Sequence, residues 1–174
     1  MNDMPYARGS RQGGFIYSTA EDKESAGEGQ SQAGMIEETL DDGTRVSRLR
    51  AYGSMTYAGF KALIYANLAR DDQRVRLAYE WIRRNYSVEE NPGAGNDGLY
   101  YYFLMMSRAL DAWGSPTIEV ADGGVRDWQN DLVDRLAGLQ TEDGSFRVVD
   151  DRWMENNPIL ITAYALLALQ HVVE

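Results

Sequence analysis

From Tyr52 onward the hydrophobic positions recur at helical spacing and fall into two kinds of segment. In one kind they form a single stripe. Val75, Ala78, Ile82 and Tyr86 lie three or four residues apart among charged neighbours. Val125, Trp128, Leu132, Leu136 and Leu139 repeat the pattern, with Asp127, Asn130, Asp131, Asp134 and Arg135 mostly off the stripe. This patterning predicts amphipathic helices over about 72–86 and 125–140, each with one face in solvent. In the other kind almost every position is apolar, which predicts buried helices over about 54–69, 98–113 and 157–172. Local signals agree with these limits. Ser54 or Thr56 can cap the first helix and Asp71 or Asp72 the second, while Gly114 followed by Pro116 stops the third.

Amphipathic helices alternating with wholly apolar ones are what an outer ring packed around an inner ring requires. The pattern therefore predicts an all-α fold of helical hairpin repeats, an α/α toroid. KAL at 61–63, RAL at 108–110 and LAL at 167–169 take like places on the three apolar helices, at the irregular spacing of helix-hairpin repeats. Residues 1–50 differ. They are rich in Gly, Ser, Glu and Gln without a 3.6-residue period, which predicts an irregular loop-rich segment with a short strand at Phe15–Tyr17. The division is thus an N-terminal segment over 1–50 and a repeat domain over 51–174. Five helices make two outer–inner pairs and one inner helix without a partner, so the toroid is expected to be partial. Its open side would be covered by the remainder of a larger toroid, by self-association, or by residues 1–50.

Composition narrows the chemistry. The 174 residues carry 17 basic and 27 acidic side chains, a formal charge of −10 that argues against nucleic-acid or anionic-membrane partners. No stretch of 18 uncharged apolar residues exists, which predicts no transmembrane segment, and the N-terminus lacks the apolar core of a signal peptide; the compartment is left open. Without cysteine there is no disulfide, thiolate nucleophile or Cys-ligated zinc. The single histidine, His171, ends an apolar helix, where a polar or cationic residue suits the dipole. No metal site and no cofactor are expected.

The link between the last two helices carries Gln140, Asp143, Gly144 and Phe146. This Gln, Asp-Gly, aromatic series resembles the QW repeat of squalene-hopene cyclases and protein prenyltransferases, with Phe in place of the usual Trp. The likeness extends over about residues 47–174 through YGSMTYAGFKALIYANL, EWIRRNY, NPGAGNDGLYYY and RWMENNPILITAYALLAL. It is a resemblance to bacterial terpenoid-cyclase-like proteins with prenyltransferase and squalene-oxidase repeats. It implies that Gln140, Asp143, Gly144 and Phe146 tie neighbouring repeats together as a structural motif. The earlier link departs from that pattern, with Asn85 near the place of the Gln.

The chemistry that the resemblance would demand is absent. Squalene-hopene cyclases protonate an alkene with a D-x-D-D-T-A run, and the nearest match, ETLDDGT at 38–44, sits among turn residues and lacks the first Asp. Asp150 and Asp151 form a second pair in a link. Prenyltransferase zinc needs a cysteine. What remains is a set of aromatics and carboxylates at the mouths of the apolar helices: Tyr52 and Tyr57, then Asp97 with Tyr100 and Tyr101, then Trp153 with Glu155. Such a mouth suits a small apolar, isoprenoid or carbohydrate ligand, since each ring offers an apolar face and a polar edge. Tyr100, Tyr101 and Tyr102 diverge around a helix, so at most two of them can line a cavity. The leading expectation is a binding or scaffold module. The alternatives are part of a cyclase or prenyltransferase whose catalytic residues lie elsewhere, and a polysaccharide-lyase-like toroid using a Tyr base with Asn96 or Arg152.

Overall fold

A computed structural model describes residues 12–17 and 33–172. In chain order the elements are β1 (Met35–Thr39), β2 (Arg45–Leu49), α1 (Gly53–Tyr65), α2 (Gln73–Asn85), α3 (Leu99–Trp113), β3 (Thr117–Glu119), β4 (Val125–Asp127), α4 (Trp128–Leu139) and α5 (Pro158–Gln170). A 3₁₀ turn at Arg152–Met154 precedes α5. The expected all-α toroid is therefore wrong. β1 pairs antiparallel with β2, and β3 with β4, so the fold is mixed: five helices with two small hairpins among the described residues.

The reason for the miss is local. β1 and β2 (MIEET and RVSRL) are mostly polar, so their alternation carries little hydrophobic signal. What closes the hairpin is the five-residue loop Leu40–Thr44. The Leu40 N–H donates to the Thr44 carbonyl at 2.8 Å, the Gly43 N–H to the Leu40 carbonyl at 3.0 Å, and the Thr44 N–H to Asp42 Oδ1 at 2.9 Å. The same three bonds recur in Val120–Gly124, between β3 and β4, at 2.8, 3.0 and 2.8 Å. They recur again in Thr141–Ser145, at 2.8, 2.9 and 3.0 Å. The fourth position is glycine at φ 83°, 85° and 83°, a left-handed conformation costly to other residues, and the Asp before it satisfies the last N–H. Val125, assigned to the apolar stripe of a helix, belongs instead to β4 and is exposed; Asp127 caps α4 through the Asn130 N–H at 3.1 Å.

Most other helix limits follow from caps, but α1 starts from Tyr52 with no side-chain cap, so neither Ser54 nor Thr56 takes the expected role. α1 stops four residues before the expected 69 because Asn67 turns left-handed at φ 58°. Leu68 N–H then reaches the Leu63 carbonyl and Asn67 N–H the Ile64 carbonyl, which satisfies the end of the helix. Asp72 caps α2 through the Arg74 N–H, Gly114 ends α3, and Asn157 caps α5 with Pro158 at its first position. The expected strand at Phe15–Tyr17 is irregular chain instead, docked by Phe15 N–H on Thr56 Oγ1 and by the Phe15 carbonyl on Tyr52 N–H.

The three apolar helices pack side by side, α3 between α1 and α5, with α2 against α1. α3 buries ten of its side chains, among them Phe103, Met106, Ala109 and Leu110, and leaves Arg108 and Asp111 exposed, so its mostly apolar sequence matches a place enclosed on most sides. α5 does not. Only Ile161, Ala165 and Ala168 are buried, while Ile159, Leu166 and Leu167 are exposed, so the expectation that 157–172 lies wholly inside fails. Nor do the KAL-type triplets share one environment: Ala62 is exposed, whereas Ala109 and Ala168 are buried.

Candidate functional site

The site is assembled at the N-terminal end of α3. Its first turn lacks a local cap, because Gly98, at φ 63°, carries no side chain to accept the orphaned N–H groups. Glu155 fills that role from 54 and 55 residues away. Its Oε2 accepts from the Tyr100 N–H at 3.1 Å and its Oε1 from the Tyr101 N–H at 2.9 Å. The helix dipole favours a negative charge there, yet the carboxylate is only 1% exposed, and burial pushes its pKa up against the pull of those two donors.

The segment that delivers Glu155 is held in a rare backbone conformation. Trp153 and Met154 are both left-handed, at φ 54° and 67°, which costs non-glycine residues about 1–3 kcal/mol each. Among the described residues three contacts hold it there. Arg152 Nη1 donates to Asp97 Oδ2 at 2.7 Å, the Arg152 N–H donates to Asp150 Oδ1 at 2.7 Å, and the Cε3–Cζ3 edge of the Trp153 ring lies against Gly98, where a Cβ would come within 2.6 Å of Cε3. Asp97 is thus an anchor of this loop rather than the cap of α3.

A cavity of about 330 Å³ opens beside Glu155. Tyr52, Ser54 and Met55 come from the start of α1, Tyr101 from α3, Trp153 and Glu155 from the strained turn, Tyr164 from α5 and Tyr17 from the N-terminal segment. Tyr101 and Tyr164 meet edge to face at 5.9 Å. Burial, with Tyr101 and Tyr17 nearby, pushes the Tyr52 hydroxyl up to about 12, so it stays protonated at neutral pH and is able to donate. Ser54 Oγ accepts from Asn91 Nδ2 at 2.8 Å, which leaves the hydroxyl proton to point elsewhere.

Of the residues expected at a mouth, the structure brings Tyr52, Tyr101, Trp153 and Glu155 to this cavity. Tyr57, Tyr100 and Asp97 do not line it. Tyr57 is buried edge-on against Tyr102 at 5.7 Å, and the Tyr100 hydroxyl donates to the Arg147 carbonyl at 2.6 Å. Sequence reasoning missed Tyr17, Ser54, Met55 and Tyr164. The aromatic in an otherwise aliphatic ILITAYALL was the one signal for Tyr164. Tyr17 reaches the cavity through a tertiary docking that its irregular neighbourhood does not announce.

The Gln140 to Phe146 link lies elsewhere. Gln140 bridges Phe146 through the backbone and donates from Nε2 to the Gly144 carbonyl at 3.2 Å, and buried Phe146 packs edge-on against Tyr100 at 6.0 Å. Hydrogen bonds from the Thr141 and Ser145 hydroxyls hold the exposed Asp143 carboxyl down to about 2. The acid pairs expected in turns also organise backbone: Asp42 and Asp150 accept from N–H groups two residues on. Among the described residues no three His, Asp or Glu side chains cluster as metal ligands, and no helix is long and apolar enough to cross a membrane. The chain matches no protein-family model, no curated protein and no solved structure.

Proposed function

We propose that the protein is a binding module whose aromatic cavity takes one compact ligand with an apolar face. The observation that carries this reading is the lining itself: four tyrosines and a tryptophan surround a buried carboxylate that already has two backbone donors. Aromatic walls with a few fixed polar groups suit capture and orientation. The strain at Trp153 and Met154 adds to the argument, since costly backbone is retained where it places particular side chains. The resemblance to terpenoid-cyclase-like proteins is compatible with an aromatic cavity. Its Asp-Gly element, however, has the loop geometry that Leu40–Thr44 and Val120–Gly124 share, so it supports a turn more than a reaction. Glu155 serves as the cap of α3, and Asp97 is engaged by Arg152, so neither stands ready as a strong acid.

The test is a thermal-shift panel of small ring compounds, neutral sugars and short isoprenoids on the wild type and on Trp153→Ala and Tyr101→Ala. A ligand at 100 times its Kd stabilises by about 2.7 kcal/mol. The expected result is a stabilisation present in the wild type and lost in both variants. A ligand that stabilises all three equally binds elsewhere and overturns the assignment.

A further inference from the structure

The cavity is more specific than an apolar slot, because its lining combines π faces with a carboxylate that no cationic side chain among the described residues pairs with. Glu155 is buried, and each of its oxygens accepts one backbone N–H, but among the described residues no Lys, Arg or His side chain is paired with it. Arg152, at the rim, is ion-paired with Asp97 at 2.7 Å. Among the described residues the buried carboxylate thus has dipoles alone for counter-charge, beside rings whose faces are negative. A neutral sugar or hydrocarbon would leave that charge as it is. An anion would be repelled. A metal ion would need several oxygen ligands, and a primary ammonium would lose strong hydration against aromatic walls.

Resting on the binding reading above, we propose that the ligand is an organic cation, and that Tyr52, Tyr101, Trp153 and Tyr164 with Glu155 form an aromatic cage for a trimethylammonium group. Such a group is weakly hydrated, its methyls are apolar enough to contact ring faces, and its charge spreads over them. Glu155 then supplies the Coulombic partner without a short hydrogen bond. The formal charge of −10 favours the approach of cations to the whole protein. Burial raises the Glu155 carboxyl, and a cation in the cavity would lower it again, so binding should strengthen as pH rises through the Glu155 titration.

A pair of isosteres separates charge from shape: choline, and 3,3-dimethyl-1-butanol, in which carbon replaces nitrogen. Calorimetric titration of the wild-type protein should show choline at least about tenfold tighter, as cation–π contact plus a buried counter-charge requires. Trp153→Ala should lose most of the choline affinity. Tyr164→Phe, which keeps the ring, should retain it. A trimethyl-lysine peptide and free choline carry the same group, and whichever binds tighter identifies its source. Equal binding of the two isosteres, or a preference for neutral glucose or cellobiose, would overturn the cation while leaving the binding site in place. Absence of binding by every probe, with Trp153→Ala indistinguishable from wild type, would overturn both. The isostere comparison uses only the wild type, so it decides the matter even if a variant fails to fold.

Discussion

α5 carries no charged residue and is the more apolar of the two helices, yet α3 is buried along ten positions and α5 along three. The difference is one of place. α3 lies between α1 and α5, whereas α5 has α3 on one side and little elsewhere among the described residues. An apolar helix is thus told where it is able to go by its own sequence, and where it goes by its neighbours. The sharpest contrast is between a change in the buried centre of α3 and one on the exposed face of α5. Phe103→Ala in α3 should cost about 3–5 kcal/mol, since a fully buried ring leaves a cavity that close-packed neighbours fill only in part. Chemical denaturation with an unchanged m-value checks it. A loss under about 1 kcal/mol would mean that α3 is not the packed centre.

Phe146→Ala should follow closely, at about 3 kcal/mol, because Phe146 is buried and packs on Tyr100 at the start of α3. Gly144 and Asp143, by contrast, act on the loop. An effect on stability is expected for Phe146 whether or not a ligand is present. Intact stability together with lost ligand binding would show that its role is in recognition.

Much of the helical layout was legible because it follows from rules read one residue at a time. The cap at Asp72 and the stop at Gly114 are local chemistry, and the structure uses both, whereas the expected cap at Ser54 or Thr56 is not used: α1 starts from Tyr52 without a side-chain cap. The hairpins were hidden for a comparable reason. Their strands are short and largely polar; the turn at Asp42 and Gly43 is read from the sequence only as a turn, and that at Asp122 and Gly123 goes unread. The three loops share a bond pattern that becomes informative only when they are set side by side. The site was half legible. Aromatic content at Tyr52, Tyr101 and Trp153 marked it, but that Glu155 caps α3 across 54 residues, and that Tyr17 and Tyr164 join the cavity, depends on tertiary packing that no local window contains.

That distant cap offers the next test. Glu155→Ala would strip two N–H groups in the first turn of α3 of their acceptor, at a cost of about 1–3 kcal/mol. Glu155→Gln, which keeps one acceptor oxygen, should recover part of it. The pH dependence has a definite sign. Because the folded carboxyl lies above its ordinary value, its contribution to stability is fully present below the unfolded pKa and is lost as pH rises through the folded one. The wild type should therefore lose stability relative to Glu155→Gln on going from acid to neutral pH. A change of the opposite sign would mean that the helix N-terminus outweighs burial at Glu155.

Gly98→Ala should cost about 1–2 kcal/mol from the left-handed backbone alone, with a further effect on the Trp153 ring whose edge lies against it. Tryptophan fluorescence is the better readout here. Trp81 and Trp128 are buried, Trp113 is half-buried at the other end of α3, and Trp153 is 41% exposed, so displacement of its ring should red-shift the emission of Gly98→Ala but not that of a Gly98→Ala, Trp153→Phe double variant. An unshifted spectrum would show that the ring holds its place without Gly98.

The smallest effect is expected on α5, where it completes the comparison with α3. Leu166 is 60% exposed, and glutamine has a helix propensity close to that of leucine, so Leu166→Gln removes little buried area and leaves the backbone preference unchanged. Its stability should remain within about 0.5 kcal/mol of wild type, as surface changes away from caps and turns usually do. An exposed apolar side chain still shapes behaviour at high concentration, because contiguous apolar surface promotes association. Ile159 and Leu167 contribute to the same exterior of the helix. Light scattering over a concentration series should show the triple variant Ile159→Ser, Leu166→Gln, Leu167→Gln no more associated than wild type, and no less folded. If instead the triple variant lost several kcal/mol, this face would be covered in solution, and α5 would resemble α3 after all.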